Sequence, residues 1–291
     1  MVVPDLAGLQ AAATALRDWQ ADRAPTQLHP GDVGWHWRDG AESTAAAVRV
    51  WSRAGRIVAV GLLDAPQLLR MAVDPDLQDD EALVDRLLGD IEDPDRGVLE
   101  SGAAVVEARC GRLLTDSLTA TGWQPDQPWT PLHRDLTEQP PDCGLRIEVI
   151  GPDGADLWSA IHWSAFKGTA MSDDDRRTVR DRWVAMASST PYAEARCLTA
   201  YDEHDDAVAI AAVWSAGSGR PGLLEPIGVH ADHRGRGHGR AVTLAAAAAL
   251  RDLGSSSAVV CTPSSQPGAV ETYVSAGFER FPELLDLRRS S

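Results

Sequence analysis

The chain has 291 residues, 44% of them hydrophobic and only 5% aromatic, and a formal net charge of −16. That length admits two ordinary domains with largely aliphatic cores, and that charge argues against a nucleic-acid partner held through its phosphates. No apolar run is long enough to span a bilayer, and Met1-Val2-Val3-Pro4-Asp5 has neither a basic region nor a signal-peptide core. A cytoplasmic protein with no membrane partner is therefore expected.

In chain order, residues 48–51 and 57–63 flank Arg53-Ala54-Gly55-Arg56 as a hairpin. Residues 68–73 follow as an apolar strand, then a polar turn and an Ala/Leu/Val-rich helix. Gln139-Pro140-Pro141-Asp142-Cys143-Gly144 reads as a linker, which divides the chain into domains at 1–140 and 145–291. Residues 145–150 form a strand, and 155–166 and 172–189 form helices. Ser172 caps the second of these, with Asp173, Asp174 and Asp175 in its first turn. A second hairpin spans 198–201 and 207–214. Residues 223–229 then read as a strand and 241–253 as a helix. Cys110, Cys143, Cys197 and Cys261 have neither metal nor redox spacing and read as free thiols. Residues 1–143 carry 24 acids and 12 bases, the remainder 19 and 15. The excess acidity belongs mainly to the first half, where it serves solubility or draws a cationic substrate.

The most informative segment joins strand 223–229 to helix 241–253. Val229-His230-Ala231-Asp232-His233-Arg234-Gly235-Arg236-Gly237-His238-Gly239-Arg240 alternates glycine with arginine and histidine. A strand that ends in a Gly-rich turn at a helix N-terminus is an anion site, because the first N–H groups lack intrahelical partners and the dipole adds positive potential. The segment lacks the Gly-Lys-Ser/Thr ending of a nucleoside triphosphate loop. It also fails the dinucleotide fingerprint, which requires glycine where Arg240 stands.

It resembles the acyl-CoA loop of the GCN5-related N-acetyltransferase (GNAT) family, Arg/Gln-x-x-Gly-x-Gly/Ala, through Arg234, Gly237 and Gly239. A second family element follows as Ala269-x-x-x-Tyr273-x-x-x-Gly277-Phe278, and the likeness covers about residues 145–285.

The chain also repeats itself. Val73 aligns with Val229 at an offset of 156, and residues 118–123 align with 273–278 at an offset of 155. Repeats of this length are duplicated domains. In the first copy Gln78-Asp79-Asp80-Glu81-Ala82-Leu83 replaces Arg234 to Gly239, so glycines are lost and three carboxylates stand where a diphosphate would bind. Leu118 replaces Tyr273. The expected fold is α/β (α+β): two tandem GNAT-like domains, each a mixed, mostly antiparallel sheet flanked by helices, the first without a CoA loop.

The resemblance implies an N-acetyltransferase that moves an acetyl group from acetyl-CoA to a primary amine of a small molecule or peptide by direct attack. Backbone at Val229 and amides of Arg234, Gly235, Arg236, Gly237, His238, Gly239 and Arg240 would hold the cofactor. Gln266 stands where the family often has asparagine. Tyr273 would be the general acid, and a core aromatic is its alternative role. Glu225, four residues before Val229 on the same strand, would share a sheet face with it and act as general base, with substrate contact or a structural pair as alternatives. Trp158, Trp163, Phe166 and Trp183 fall where the family walls its acceptor site, one of them facing the substrate and the rest packing in the core, and Asp173 to Asp175 form a solvated helix start or meet a cationic acceptor. His230, His233 and His238 have no further ligand at metal spacing, so no metal is expected. A non-catalytic CoA-binding scaffold and a transferase of longer acyl-CoA are the alternatives. Oligomeric state is left open.

Overall fold

A computed structural model of the chain describes residues 1–24 and 27–290. The first half runs α1 (Leu6–Asp18), α2 (Pro30–His36), α3 (Ala41–Ala47), β1 (Val48–Arg53), β2 (Arg56–Ala65), β3 (Leu68–Val73), α4 (Glu81–Glu92), β4 (Ala104–Glu107), α5 (Arg112–Ala120) and β5 (Gln124–Asp135). The second runs β6 (Arg146–Val149), α6 (Ala155–Phe166), α7 (Asp173–Ala187), β7 (Ala195–Tyr201), β8 (Ala207–Ser215), β9 (Gly222–Val229), α8 (His238–Asp252), β10 (Ser257–Pro263), α9 (Pro267–Ser275), β11 (Glu279–Arg280) and β12 (Leu284–Arg289). The repeat in the sequence is a repeat of structure: α5 and α9 coincide under a shift of 155.

Each half is a sheet with helices on both faces. In the first, α4 and α5 cover one face through Leu87, Ile91, Leu114 and Leu118, and α1 to α3 cover the other through Leu9, Leu16 and Val33. In the second, α8 and α9 pack on one face and α6 and α7 on the other. Strands covered on both sides must be apolar throughout. β8, Ala-Val-Ala-Ile-Ala-Ala-Val-Trp-Ser, satisfies this and is buried from Val208 onward.

The two sheets are joined into one of twelve strands, ordered β1-β2-β3-β4-β12-β5-β10-β9-β8-β7-β6, with β11 pairing β5. The halves exchange their last long strands. β5 runs antiparallel to β10 from Ser257↔Asp135 to Pro263↔Trp129, while β12 runs antiparallel to β4. Hydrogen bonding therefore crosses the expected boundary at 140–145 in both directions. Leu287 of β12 is buried in the core of the first half. Beside it Arg109 donates from Nε and Nη2 to Asp286, both at 2.8 Å, with only 5% and 3% of the two side chains exposed.

Removing one member of a buried ion pair costs about 3 kcal/mol or more, and Glu107, 3.6 Å from Arg109, does not replace the two hydrogen bonds that Asp286 accepts. Asp286→Ala is expected to lower the stability of the whole chain by that amount, read as a shift in the urea midpoint. A midpoint unchanged from that of the unaltered protein would mean that β12 contributes little to the joint.

Among the described residues no helix is long and apolar enough to cross a membrane.

Candidate active site

β9 and β10 are parallel but paired only at Gly222 and Leu223 with Ala258 and Val259. Beyond Leu223 the edge of β9 that faces β10 has no strand partner, and the two strands part. On its other edge β9 pairs with β8, where Leu224 faces Val213 and Ile227 faces Ala211. β9 thus carries one residue more than β8 across this interval, a bulge at Glu225-Pro226 (a cis peptide).

The bulge overturns one expectation. An uninterrupted strand would put Glu225 and Val229 on the same face. The extra residue reverses the alternation, so Leu224, Ile227 and Val229 pack on the α8 side while Leu223 and Gly228 face α6. Glu225 opens toward α6 and α7, away from Val229.

The Gly-rich turn sits at the mouth of the notch. Gly235 and Gly237 adopt φ of +75° and +85°, a region that side chains with a Cβ rarely occupy. Gly237 is the N-cap of α8, and no side chain caps that helix. Its first N–H groups are therefore free for an anion. Gly239 is needed for close packing, since a Cβ there would lie 3.1 Å from Thr272 of α9. The equivalent helix of the first half is closed: Asp80 caps α4 by accepting from the Leu83 N–H at 2.8 Å and pairs with Arg53 at 2.9 Å.

A groove of about 1150 Å³ runs from this turn along β9 to α9. Val229, Arg234, Gly235, Gly237, His238, Gly239, Arg240, Gln266 and Tyr273 all line it, so the structure brings together every predicted cofactor contact except Arg236. The Arg236 guanidinium instead turns back to the Asp232 carbonyl at 3.2 Å. Arg234 donates to the Ala165 carbonyl at 2.7 Å and Arg240 to the Ser275 carbonyl at 2.9 Å. These two arginines tie the turn to α6 and α9 in addition to giving it positive charge. Gln266 is exposed at the N-cap of α9.

Tyr273 is 9% exposed and packs on Phe278 with ring centroids 5.9 Å apart. Burial, and then the charge of Glu225, raise its phenol well above the ordinary range. It stays protonated at working pH. Leu118, its equivalent, is wholly buried in the first core.

Glu225 is enclosed, and burial lifts its carboxyl to about 7. Arg70 opposes the shift, while Asp32, Asp64 and Glu107 reinforce it. All four of these modulators belong to the first half. They form a buried cluster in which Arg70 pairs with Asp32 at 2.9 Å and Glu107 at 3.0 Å. Sequence reasoning missed this cluster because no local pattern announces a partner so distant in the chain.

Next to the groove, and sharing Phe166 with it, lies a cavity of about 560 Å³ with Glu225 and Pro226 among its lining residues. Trp158, Trp163, Phe166 and Trp183 all line it, and Trp158 and Trp183 are also packed in the core of the second half. Asp175 reaches it too, but its carboxylate accepts from the Ser172 N–H at 3.1 Å and hydroxyl at 2.6 Å and so closes the cap of α7. Trp35 and Arg38, from the first half, complete the wall and carried no signal in the sequence.

The histidines find a third companion. Asp202, from the β7–β8 turn, joins His233 and His238, with one potential ligand atom of each within 4.8 Å of the others. Sequence spacing showed no such ligand. The Asp202 carboxylate already accepts from the backbone of His204 at 2.9 Å and Asp206 at 3.1 Å, which fixes its turn.

Residues 157–278 match the model of the acetyltransferase (GNAT) family. No curated protein sequence matches the chain. Among solved structures it is similar to a tandem GNAT protein from the clavulanic acid biosynthesis pathway, at 15% identity and a TM-score of 0.60 over 99% of this chain and 96% of that one. It is also similar to a GCN5-related N-acetyltransferase from Sphaerobacter thermophilus, at 19% identity and a TM-score of 0.56 over 99% and 94%. An acetyltransferase from Colwellia psychrerythraea gives 12% identity and a TM-score of 0.60 over 99% and 98%. Residues 157–278 thus carry the sequence pattern of the GNAT family, and the whole chain shares the tandem GNAT fold, with a first copy that lacks the Gly-rich turn.

Proposed function

We propose that the protein is an acetyl-CoA-dependent N-acetyltransferase acting on a primary amine of a small molecule or peptide. The observation that carries this is the continuity of an uncapped helix N-terminus with a groove along the unpaired edge of β9 that Tyr273 lines, beside a cavity that Glu225 lines. When bound, acetyl-CoA supplies an acetyl group activated as a thioester. The amide N–C bond forms as the C–S bond breaks.

The main-chain N–H groups of Gly235 to Arg240 hold the diphosphate. Val229 offers its backbone to the pantetheine arm. Glu225, poised near neutrality, removes a proton from the ammonium, directly or through water, and Tyr273 returns one to the departing sulfur. The first half, without a cofactor site of its own, supplies the charges that set the carboxyl of Glu225.

Acetyl-CoA binding followed by thiol release over an amine panel tests this. Binding with no release by any amine would assign the chain to a non-catalytic CoA-binding role. Activity is expected to rise with pH through about 7, because Glu225 must be ionised to accept a proton. Glu225→Gln is expected to lower kcat and remove that limb.

The same change should stabilise the protein at pH 8. An acid whose folded pKa is raised contributes its stability fully below about 4.5 and loses it as pH rises toward about 7. Above that range the ionised group is a burden. The Tm of Glu225→Gln at pH 8 should rise by about 2 °C or more. A lower Tm with an unaltered pH profile would make Glu225 a structural partner of Arg70 instead.

A further inference from the structure

We infer that the acceptor carries a carboxylate on the same molecule as its amine, together with an apolar or aromatic body, in the manner of a free amino acid. The inference rests on the transferase reading above and assigns the chemistry of its second substrate.

The cavity next to the groove is basic, contrary to what the acidity of the chain suggests. Arg38, Lys167 and Arg182 line it against Asp175 and Glu225, and Asp175 is committed to the cap of α7. Arg38 and Arg182 come from different halves and share one carboxylate, Asp39. Arg182 donates to it from Nη2, and the Arg38 Nε lies 3.9 Å away. One carboxylate cannot satisfy two guanidiniums, which present ten N–H donors between them. The Nε atoms of both are buried without a hydrogen-bond partner. Buried donors left in this state are costly unless a ligand completes them.

The neighbouring His162 registers the same field. Burial first, and then Arg38, Lys167 and Arg182, depress its imidazole to about 4, so it is neutral and stacks on Trp158 at 5.5 Å. His162 therefore adds no charge of its own near pH 7, and the positive pole is Arg38, Lys167 and Arg182.

Around these charges the walls are indole and phenyl rings. Trp35 lies under the Arg38 guanidinium at 4.3 Å, and Trp158 and Phe166 flank His162. Glu225 lines the same cavity. An amine at Glu225, a carboxylate at the arginine pair and an apolar side chain against the tryptophans match the acidic, basic and aromatic parts of the cavity. A plain cationic amine would leave the arginines uncompensated and be repelled by them. The Arg38 guanidinium and Trp35 come from the first half, which gives that half a direct part in choosing the substrate.

Matched pairs that differ only in the carboxylate test this: tryptophan with tryptamine, phenylalanine with phenethylamine, and leucine with isoamylamine. Thiol release and calorimetric binding in the presence of CoA are both measured. In at least one pair the carboxylate-bearing member should be preferred by about 10- to 100-fold, the range of one or two charge-assisted hydrogen bonds. Arg38→Gln and Arg182→Gln should raise its KM by a similar factor, erase the preference, and leave acetyl-CoA affinity unchanged. Asp39→Asn should tighten its binding, whereas a purely structural Asp39–Arg182 pair predicts the reverse. Equal or better use of the plain amine in every pair, by turnover and by calorimetry, would overturn the inference and leave the transferase standing. Absence of acetyl-CoA binding and of thiol release with every amine would instead remove the transferase reading, and calorimetry of the pairs would still decide whether the cavity prefers a carboxylate.

Discussion

Tyr273→Phe is expected to lower kcat by about 10²- to 10⁴-fold, the usual worth of a positioned proton donor. The substitution removes one oxygen and nothing else. The ring is buried against Phe278, and phenylalanine fills the same space in the same core, so stability and the position of α9 should be kept. Acetyl-CoA affinity should also be kept, because the free N–H groups lie at the N-terminus of α8 and not on the phenol. The loss would then report the proton alone. Burial and the charge of Glu225 hold the phenol protonated well above pH 10, so the unaltered enzyme should show no loss of activity from its ionisation in the alkaline range. A kcat within about threefold of the unaltered enzyme, with binding intact, would return Tyr273 to the role of core aromatic that its spacing also allows.

The parts of this site that were legible in the sequence are those encoded over a few adjacent residues. Gly235, Gly237 and Gly239 announce a turn at a helix start because their lack of a Cβ suits the positive φ of the first two and the close packing of the third on Thr272, which a Cβ would meet at 3.1 Å. Ser172 and its three aspartates mark the start of α7 for an equally local reason. The duplication was legible because two copies of one local pattern can be laid side by side, and the missing Gly-rich turn in one of them shows as carboxylates in place of glycines.

The direction of Glu225 was not legible. It turns on a single extra residue in β9, and an alternation rule reverses at each such insertion. The exchange of β5 and β12 was hidden for a deeper reason. A strand's apolar pattern states which face is buried but not which partner covers its edge, and two copies of one fold offer edges that are nearly interchangeable. The cationic side chains of the cavity were masked by the net charge. A total of −16 averages the whole surface, while Arg38 and Arg182 meet at Asp39 from different halves of the chain. Electrostatics at a site follows from what lies within a few ångströms of it, where screening by solvent is weakest.

Gly237→Val is expected to weaken acetyl-CoA binding by about 100-fold or more, since two or more charge-assisted hydrogen bonds from the turn would be lost. The residue sits at φ +85° as the N-cap of α8, and a β-branched side chain there is strained at any size. A Cβ at this position would meet no protein atom within 4 Å. The valine therefore does not disturb packing. It turns the backbone that aims the N–H groups and fills space that the diphosphate needs. Gly219 provides the control, with φ +73° and equally open surroundings in a turn outside the groove. Gly219→Val should bring a similar backbone strain and a similar fall in Tm, yet leave acetyl-CoA affinity where it was. Equal affinity in Gly237→Val and the unaltered protein would mean that the main chain of this turn does not hold the cofactor. The functional case built on the uncapped end of α8 would then fail, whatever the family likeness of the sequence around it.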